Sequence, residues 1–249
     1  MLKKELFIML FVFLQTIGLM AQESRFKEGE TLNVWAALGL NMRDKPDAKA
    51  AKISTIPYGT KVVVQPNIGL KILFEVEEFK DFTVKGYWLL VKYGNTEGFV
   101  FDGFLSRLTA PIKNDSTTLE DYFDIQIGKI GKIGSKYEVR FFDKIADKYR
   151  MATPSDKFEE KDITGFTQKY QYDIIYEHGK SEGGGDVKIT SSNLSIYEGY
   201  FLVKTFFISK HDILTFHKKD KSINIAGEEC DFNIKQNGNK LVIDGYCGC

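Results

Sequence analysis

The sequence predicts a mainly β protein: a small β-barrel followed by a second antiparallel β domain with one short helix. The 249-residue chain contains 20 Phe, 12 Tyr and 22 Gly, and such a composition favours strands and turns over helices. Short apolar segments alternate with turn residues along most of the chain. Removal of an N-terminal leader would leave about 228 residues, enough for two domains of about 100 to 200 residues each.

Residues 1–21 have the layout of a secretory signal peptide. Two lysines precede an almost wholly apolar run from Leu6 to Met20, and Ala21 offers a small residue for cleavage. A run of about 15 residues is shorter than the roughly 20 that a membrane-spanning helix needs. We therefore expect an exported protein, periplasmic or extracellular, that meets a membrane only through its signal peptide before cleavage.

The charge balance argues against partners recognised by bulk charge. Lys plus Arg and Asp plus Glu number 34 each, so the chain has no overall field that would attract nucleic acid. We predict no nucleic-acid partner.

The first unit is predicted to consist of short strands. Between residues 31 and 65 these are 31–37, 40–43, 52–56 and 61–65, separated by turn residues around Pro46 and Gly59. An extra hairpin is predicted over 70–84, with its turn near Phe79-Lys80-Asp81. Strands 87–93 and 98–101 follow, and the unit closes at Phe104-Leu105.

Six short motifs of this unit occur in a characteristic order. They are Gly39-Leu40-Asn41-Met42-Arg43 with Pro46, residues 53–56, Gly59-Thr60-Lys61-Val62-Val63-Val64, Gly86-Tyr87-Trp88, Glu97-Gly98-Phe99-Val100 and Phe104-Leu105. Together they resemble the bacterial SH3-like (SH3b) domain family over residues 31–107. Met42 and Phe99 replace the commoner Val and Trp of that family, and residues 66–85 form an insertion. The resemblance implies a small β-barrel at residues 23–108 that binds peptidoglycan peptides or other envelope components.

Residues 109–117 are polar, contain Pro111 and are predicted to be a linker. The capping-box spacing of Thr117 and Glu120 predicts one short helix over 118–125. Asn237-Gly238 predicts a hairpin turn near the C-terminus. The motifs identify no family for this second domain, residues 118–249. Its predicted strands are 137–142, 170–176, 187–190, 200–208, 213–217, 222–225, 232–235 and 240–244.

Three cysteines, Cys230, Cys247 and Cys249, lie near the C-terminus. In an exported protein a disulfide can persist, and Cys230 can pair with either of the other two. We favour Cys247, although both pairings would staple the same hairpin with a stabilisation of about 3 kcal/mol. The remaining cysteine is left over unless it pairs two chains.

The sequence offers no recognisable catalytic or metal constellation. All three histidines, His178, His211 and His217, precede all three cysteines, the reverse of the order in NlpC-type peptidases. His211 and His217 would stand about 20 Å apart on one strand, too far to share a metal. Zinc binding by the three cysteines is the weaker alternative to a disulfide. We therefore predict no catalytic site, no metal and no cofactor.

Aromatic residues of the first unit are the candidates for a ligand groove. In SH3-like folds such side chains line a groove between loops that receives a peptide, because flat rings grip extended chains at low entropic cost. Tyr58 and Tyr87, next to turns, are the stronger candidates, whereas Trp88 and Phe99 can instead be core residues. The groove candidates are Tyr58, Tyr87, Trp88, Tyr93 and Phe101.

These observations favour a non-catalytic binding protein of the bacterial cell envelope, whose partner is a cell-wall peptide or an envelope protein. A cell-wall-targeted enzyme with its catalytic domain in residues 118–249 is an alternative from a different class. A structural module for protein–protein interaction is a third.

Overall fold

The structure, a computed structural model, describes most of the chain from residue 25 onward. The described residues are 25–66, 72–112, 117–130, 137–143, 148–151, 163–181, 184–208, 213–217 and 221–248. The predicted signal peptide, Cys249 and His211 lie outside them. Within these ranges no helix has both the length and the apolar character needed to cross a membrane.

Eight strands form the first sheet, and all of their pairings are antiparallel. They are β1 (Thr31–Val34), β2 (Leu40–Arg43), β3 (Lys52–Ile56), β4 (Lys61–Val64), β5 (Leu73–Phe79), β6 (Phe82–Tyr93), β7 (Thr96–Phe101) and β8 (Leu105–Ser106). Their order is β3-β2-β7-β6-β4-β1-β8, with β5 paired to β6. The mainly β class and the SH3-like unit are confirmed. The described pairings form an open path from β3 to β8 and do not show a closed barrel.

The motif residues of β2 alternate between buried and exposed positions, as expected for a strand with one face on the core. Leu40 and Met42 are buried, whereas Asn41 between them is exposed. Gly98 on β7 allows the neighbouring strand to approach, because a Cβ there would lie 2.5 Å from Met42 Cγ. The motif glycine and the motif apolar residues therefore meet in one core.

The inserted segment contains the predicted hairpin. β5 pairs with the first half of β6, and the turn lies at Lys80 and Asp81, where Asp81 has a positive φ of 69°. The hairpin is continuous with the sheet because the second half of β6 pairs with β7. The insertion thus extends one edge of the SH3-like unit.

Nine antiparallel strands form the second sheet, in the order β10-β9-β11-β12-β13-β17-β16-β15-β14. They are β9 (Tyr137–Asp143), β10 (Lys148–Met151), β11 (Ile163–Lys169), β12 (Ile175–Ser181), β13 (Gly184–Ser191), β14 (Ile213–His217), β15 (Ser222–Ala226), β16 (Cys230–Asn237) and β17 (Lys240–Gly248). The favoured Cys230–Cys247 disulfide joins β16 and β17. The strand predicted over 170–176 is wrong, because Tyr172 and Asp173 both have positive φ and form the turn between β11 and β12.

The first helix is longer than predicted and begins one residue later. Helix α1 (Leu119–Ile130) replaces the predicted 118–125. Its first turn is closed by Thr118 and Asp121, since Asp121 N donates to Thr118 Oγ1 at 3.1 Å and Thr118 N to Asp121 Oδ2 at 2.9 Å. Hydrogen bonds from the Thr118 side chain and backbone lower the pKa of Asp121.

A second helix, α2 (Ile196–Phe206), overturns two predictions, the strand over 200–208 and the single helix of the second domain. Ser195 and Glu198 form a capping box, in which Ser195 Oγ accepts from Glu198 N at 3.2 Å and Glu198 Oε2 accepts from Ser195 N at 2.8 Å. An apolar run of β-type residues becomes a helix here because the helix is buried on both sides. Tertiary packing therefore overrides local propensity.

Helix α2 lies between the two sheets and joins them. On one side its Gly199 faces Leu241 and Ile234 of the second sheet. On the other side Tyr197 lies 4.9 Å from the Phe104 ring, and Phe201 lies 5.7 Å from the Trp35 ring. The buried core is consequently continuous from one sheet to the other.

Candidate functional site

A cleft of about 650 Å³ lies where the β5–β6 hairpin meets α2 and the second sheet; we call it the junction cleft. Its wall on the first sheet is the hairpin and the 3-10 helical turn Asp102–Phe104. Its opposite wall is the start of α2 and part of the second sheet. The lining residues are Arg25, Glu75, 81–87, Asp102, Gly103, 195–197, Phe216, Lys221 and Gln236.

Aromatic packing builds the apolar part of the junction cleft. Phe82 is buried, with its ring 5.9 Å from Tyr200 of α2 and 5.3 Å from Phe216 of β14. Ile196 and Tyr197 add apolar surface from the first turn of α2. Residues from both sheets therefore fix the shape of the cleft.

A buried carboxylate organises the hairpin wall. Asp102 is only 4% exposed and accepts a hydrogen bond of 2.7 Å from the backbone N of Tyr87. Gly86 makes this approach possible, because a Cβ on that residue would lie 2.4 Å from Asp102 Oδ1. Glycine at position 86 of the motif therefore leaves the room in which Asp102 approaches the Tyr87 amide.

A second buried carboxylate holds the other wall. Arg25 Nη1 lies 2.5 Å from Glu198 Oε2, and Arg25 Nη2 donates to the carbonyl of Leu105 at 2.6 Å. Glu198 is 2% exposed and also closes the capping box of α2. Arg25 thus connects the start of α2 to the first sheet beside the cleft.

The remaining charges of the junction cleft are mixed in sign. Lys85 and Glu75 form an exposed ion pair of 2.6 Å. Lys221 is exposed at the rim and, within the described part of the chain, makes no ion pair. The cleft therefore combines apolar walls with a few polar groups, as ligand sites commonly do.

The structure brings one of the five groove candidates, Tyr87, into the junction cleft. Tyr58 packs beneath α2, with its ring 5.9 Å from Phe201 and its hydroxyl donating to the carbonyl of Pro111 at 2.5 Å. Burial also raises the pKa of Tyr58.

The other three candidates lie outside the cleft. Trp88 is 5% exposed, and its ring lies 5.2 Å from Phe74. Phe101 is buried, edge-on to the rings of Phe74 and Phe104. Tyr93 is half-buried at the end of β6.

Several lining residues were not among the sequence candidates. Arg25, Phe216 and Gln236 belong to segments far from the hairpin in sequence, and no local motif connects them. The one local signal was Ser195-Ile196-Tyr197-Glu198, whose capping-box spacing marks the start of α2.

No metal site is apparent in the described residues, among which no three His, Cys, Asp or Glu side chains cluster as ligands would. The ring nitrogen Nε2 of His217 lies 3.1 Å from Asn224 Nδ2. The Cys230–Cys247 disulfide removes two of the three sulfurs considered for zinc.

Comparison with known proteins identifies the first sheet. Residues 38–106 match the family model of the bacterial SH3 domain. No curated protein and no solved structure matches the chain. The match covers the motifs from Leu40 to Leu105 and includes the β5–β6 hairpin. The chain therefore carries a bacterial SH3 domain at residues 38–106, and that domain suggests a module that binds cell-wall components or proteins.

Proposed function

We propose that the protein is an exported, non-catalytic binding protein of the cell envelope and that its ligand occupies the junction cleft. The observation that carries this proposal is the position of the cleft. It lies at the SH3 domain's inserted hairpin, includes Tyr87 of the domain motif, and is completed by α2 and β14. The ligand is a peptidoglycan peptide or another envelope component.

The size and lining of the junction cleft support a ligand site. Its volume of about 650 Å³ falls within the range of about 300 to 1,000 Å³ that is common for such sites. Tyr87 presents a half-buried ring with a polar tip, which can pack on a ligand and orient it.

Two further features support an envelope location. Bacterial SH3 domains are typically extracellular or associated with the envelope. The Cys230–Cys247 disulfide suits an oxidising compartment. Both agree with the signal-peptide pattern of residues 1–21.

The proposal is tested by sedimenting the purified full chain with purified peptidoglycan sacculi. The variant Tyr87→Ala removes the ring of a motif residue that lines the cleft, and Tyr93→Ala is its matched control on the same strand. We expect the wild type and Tyr93→Ala to sediment with sacculi equally. We expect Tyr87→Ala to bind about tenfold more weakly, since an aromatic contact at a binding hot spot is worth about 1.4 kcal/mol or more.

Equal binding by Tyr87→Ala and wild type would show that the cleft is not the site. Failure of the wild-type chain to sediment above a heat-denatured sample would remove peptidoglycan as the ligand. Thermal melts of both variants show whether either has lost its fold.

A further inference from the structure

The first half of β6 has one paired edge and one free edge. β5 pairs with residues 82–87 along one edge. The other edge of β6 is paired only further along, where β7 joins Trp88–Tyr93 and β4 joins Val91 and Lys92. Among the described residues, no strand pairs with the second edge of residues 82–87.

The hydrogen-bond alternation of an antiparallel pair shows which groups face that free edge. Tyr87 N bonds to Asp102 rather than to β5, whereas Trp88 N donates to the carbonyl of Ile72 at 3.4 Å. Tyr87 therefore belongs to a non-hydrogen-bonded pair with Leu73, and every second residue along β6 shares that state. The backbone N–H and C=O groups of Thr83 and Lys85 consequently point away from β5.

This free edge borders the junction cleft. All seven residues 81–87 line the cleft. Side chains alternate between the two faces of a strand, so one face alone would contribute only every second residue. An unbroken run indicates that the strand presents its edge to the cleft. The carboxylate of Asp102 bonds to this edge at its last position, Tyr87.

The opposite wall offers partners for a strand placed in the cleft. Ile196 and Phe216 provide apolar surface. Gln236 Oε1 is buried in the cleft lining and finds no hydrogen-bond partner among the residues that the structure describes. An unpaired buried acceptor is costly, and a donor from a bound chain would satisfy it.

The charges indicate which side chain such a segment carries. Lys85 is engaged by Glu75 and Arg25 by Glu198. Lys221 is the cation of the cleft lining that makes no ion pair within the described residues. An acidic side chain on the bound segment would complement it.

We propose that the junction cleft binds an extended polypeptide segment by strand addition to the free edge of β6. Its main chain pairs with Thr83 and Lys85, its alternate apolar side chains contact Ile196 and Phe216, and an acidic residue meets Lys221. From Thr83 to Tyr87 the edge spans about 13 Å, room for about five residues. This inference rests on the proposed function and specifies that the cleft contacts a peptide segment of its ligand rather than a glycan.

The test uses a synthetic octapeptide selected from a phage-displayed random pool on the full chain. Amide hydrogen exchange is measured by NMR with and without that peptide. In the free chain we expect the amides of Val84 and Gly86, which are bonded to β5, to exchange more slowly than those of Thr83 and Lys85. The peptide should slow exchange at Thr83 and Lys85 at least tenfold.

A pair of variants tests the proposed hydrogen bond from the Lys85 N–H to the bound peptide. Lys85→Pro removes the N–H that faces the cleft and leaves the bonds to β5, whereas Lys85→Ala removes only the side chain. We expect Lys85→Pro to bind the peptide about tenfold more weakly than Lys85→Ala, the effect of one main-chain hydrogen bond. Thr83→Pro and Thr83→Ala repeat the comparison should Lys85→Pro not fold.

Selected peptides that leave the Thr83 and Lys85 amides unprotected would overturn strand addition. A pool that yields no binding peptide would overturn it too. If sacculi still bind in that case, the proposed function survives and the ligand is a cell-wall component. If sacculi also fail to bind, both proposals fall.

Discussion

Glu198 is a buried residue with two structural roles. Its carboxylate closes the capping box of α2 and binds Arg25, while the side chain is 2% exposed. A buried carboxylate in this position needs both partners to offset its loss of hydration. Arg25 in turn is held against the first sheet by the carbonyl of Leu105.

We expect Glu198→Ala to lower the free energy of unfolding by about 2 to 3 kcal/mol, because it removes the side-chain half of the capping box and leaves the Arg25 guanidinium without its carboxylate. Urea denaturation measures the change. Glu75→Ala is the matched control, since the Glu75–Lys85 pair is exposed and should contribute less than about 1 kcal/mol. Equal losses in the two variants would contradict the role assigned to burial.

At the scale of the element, α2 depends on close packing against β16 and β17. A Cβ on Gly199 would lie 2.8 Å from Leu241 Cδ2 and 3.3 Å from Ile234 Cγ2, and both residues are fully buried. Glycine is thus the residue that lets this helix lie on the second sheet.

Gly199→Ala should therefore destabilise the protein by about 1 to 3 kcal/mol, although the same change in an exposed helix stabilises by about 1 kcal/mol. A lower denaturation midpoint for Gly199→Ala than for the wild type would show that the added methyl group destabilises the protein. In a Leu241→Ala background the clash is removed, and the added methyl group should become neutral or stabilising. A stabilising Gly199→Ala in the wild-type background would show that α2 packs more loosely than described.

The β16–β17 hairpin gains stability from its disulfide. Cys230 and Cys247 are 17 residues apart and directly opposite in the register of the two strands. Replacing both by Ser should lower the free energy of unfolding by about 3 kcal/mol. Cys249→Ser is the control, expected to leave both the stability and the Cys230–Cys247 disulfide unchanged. A disulfide that disappears in Cys249→Ser would contradict the pairing.

The two sheets share one buried core because α2 contributes side chains to both. Tyr197 donates to the carbonyl of Trp35 at 3.2 Å, and Lys204 lies 3.6 Å from Glu78 of the hairpin. Burial raises the pKa values of Tyr58, Tyr197 and Tyr200, all of which lie at this junction. Separation of the sheets would return these groups to their ordinary pKa near 10.

This arrangement predicts a loss of stability at alkaline pH. A folded pKa above the unfolded value means that the folded chain holds more protons, so the stabilisation is complete below about pH 10 and declines as the pH rises further. Melting temperatures measured from about pH 8 to pH 11 should fall mainly above pH 10. The double variant Tyr58→Phe with Tyr197→Phe should show a shallower fall. The same slope in both proteins would contradict tyrosine ionisation as the cause.

The SH3 domain could be predicted from the sequence because its signals are local. In motifs such as Leu40-Asn41-Met42-Arg43, apolar and polar residues alternate, and turn residues separate the motifs. The order of these motifs along the chain was therefore enough to predict the domain. Helix α2 was missed because its run of Tyr, Phe and Val suits a strand equally well, and only its burial between two sheets selects a helix.

The junction cleft was beyond prediction for a related reason. Tyr87 was a candidate because it belongs to a motif, but Phe216 and Gln236 join it through the packing of α2, which no local pattern encodes. The same packing places Tyr58 beneath α2.

Hydrogen-exchange mass spectrometry of the full chain, with and without muropeptides released from purified sacculi, tests the junction cleft most directly. We expect slower exchange in residues 81–87 and 195–197, with residues 40–56 at the far edge of the SH3 domain unchanged. Bound muropeptides that protect residues 40–56 and leave 81–87 unchanged would place the site elsewhere and contradict the proposal.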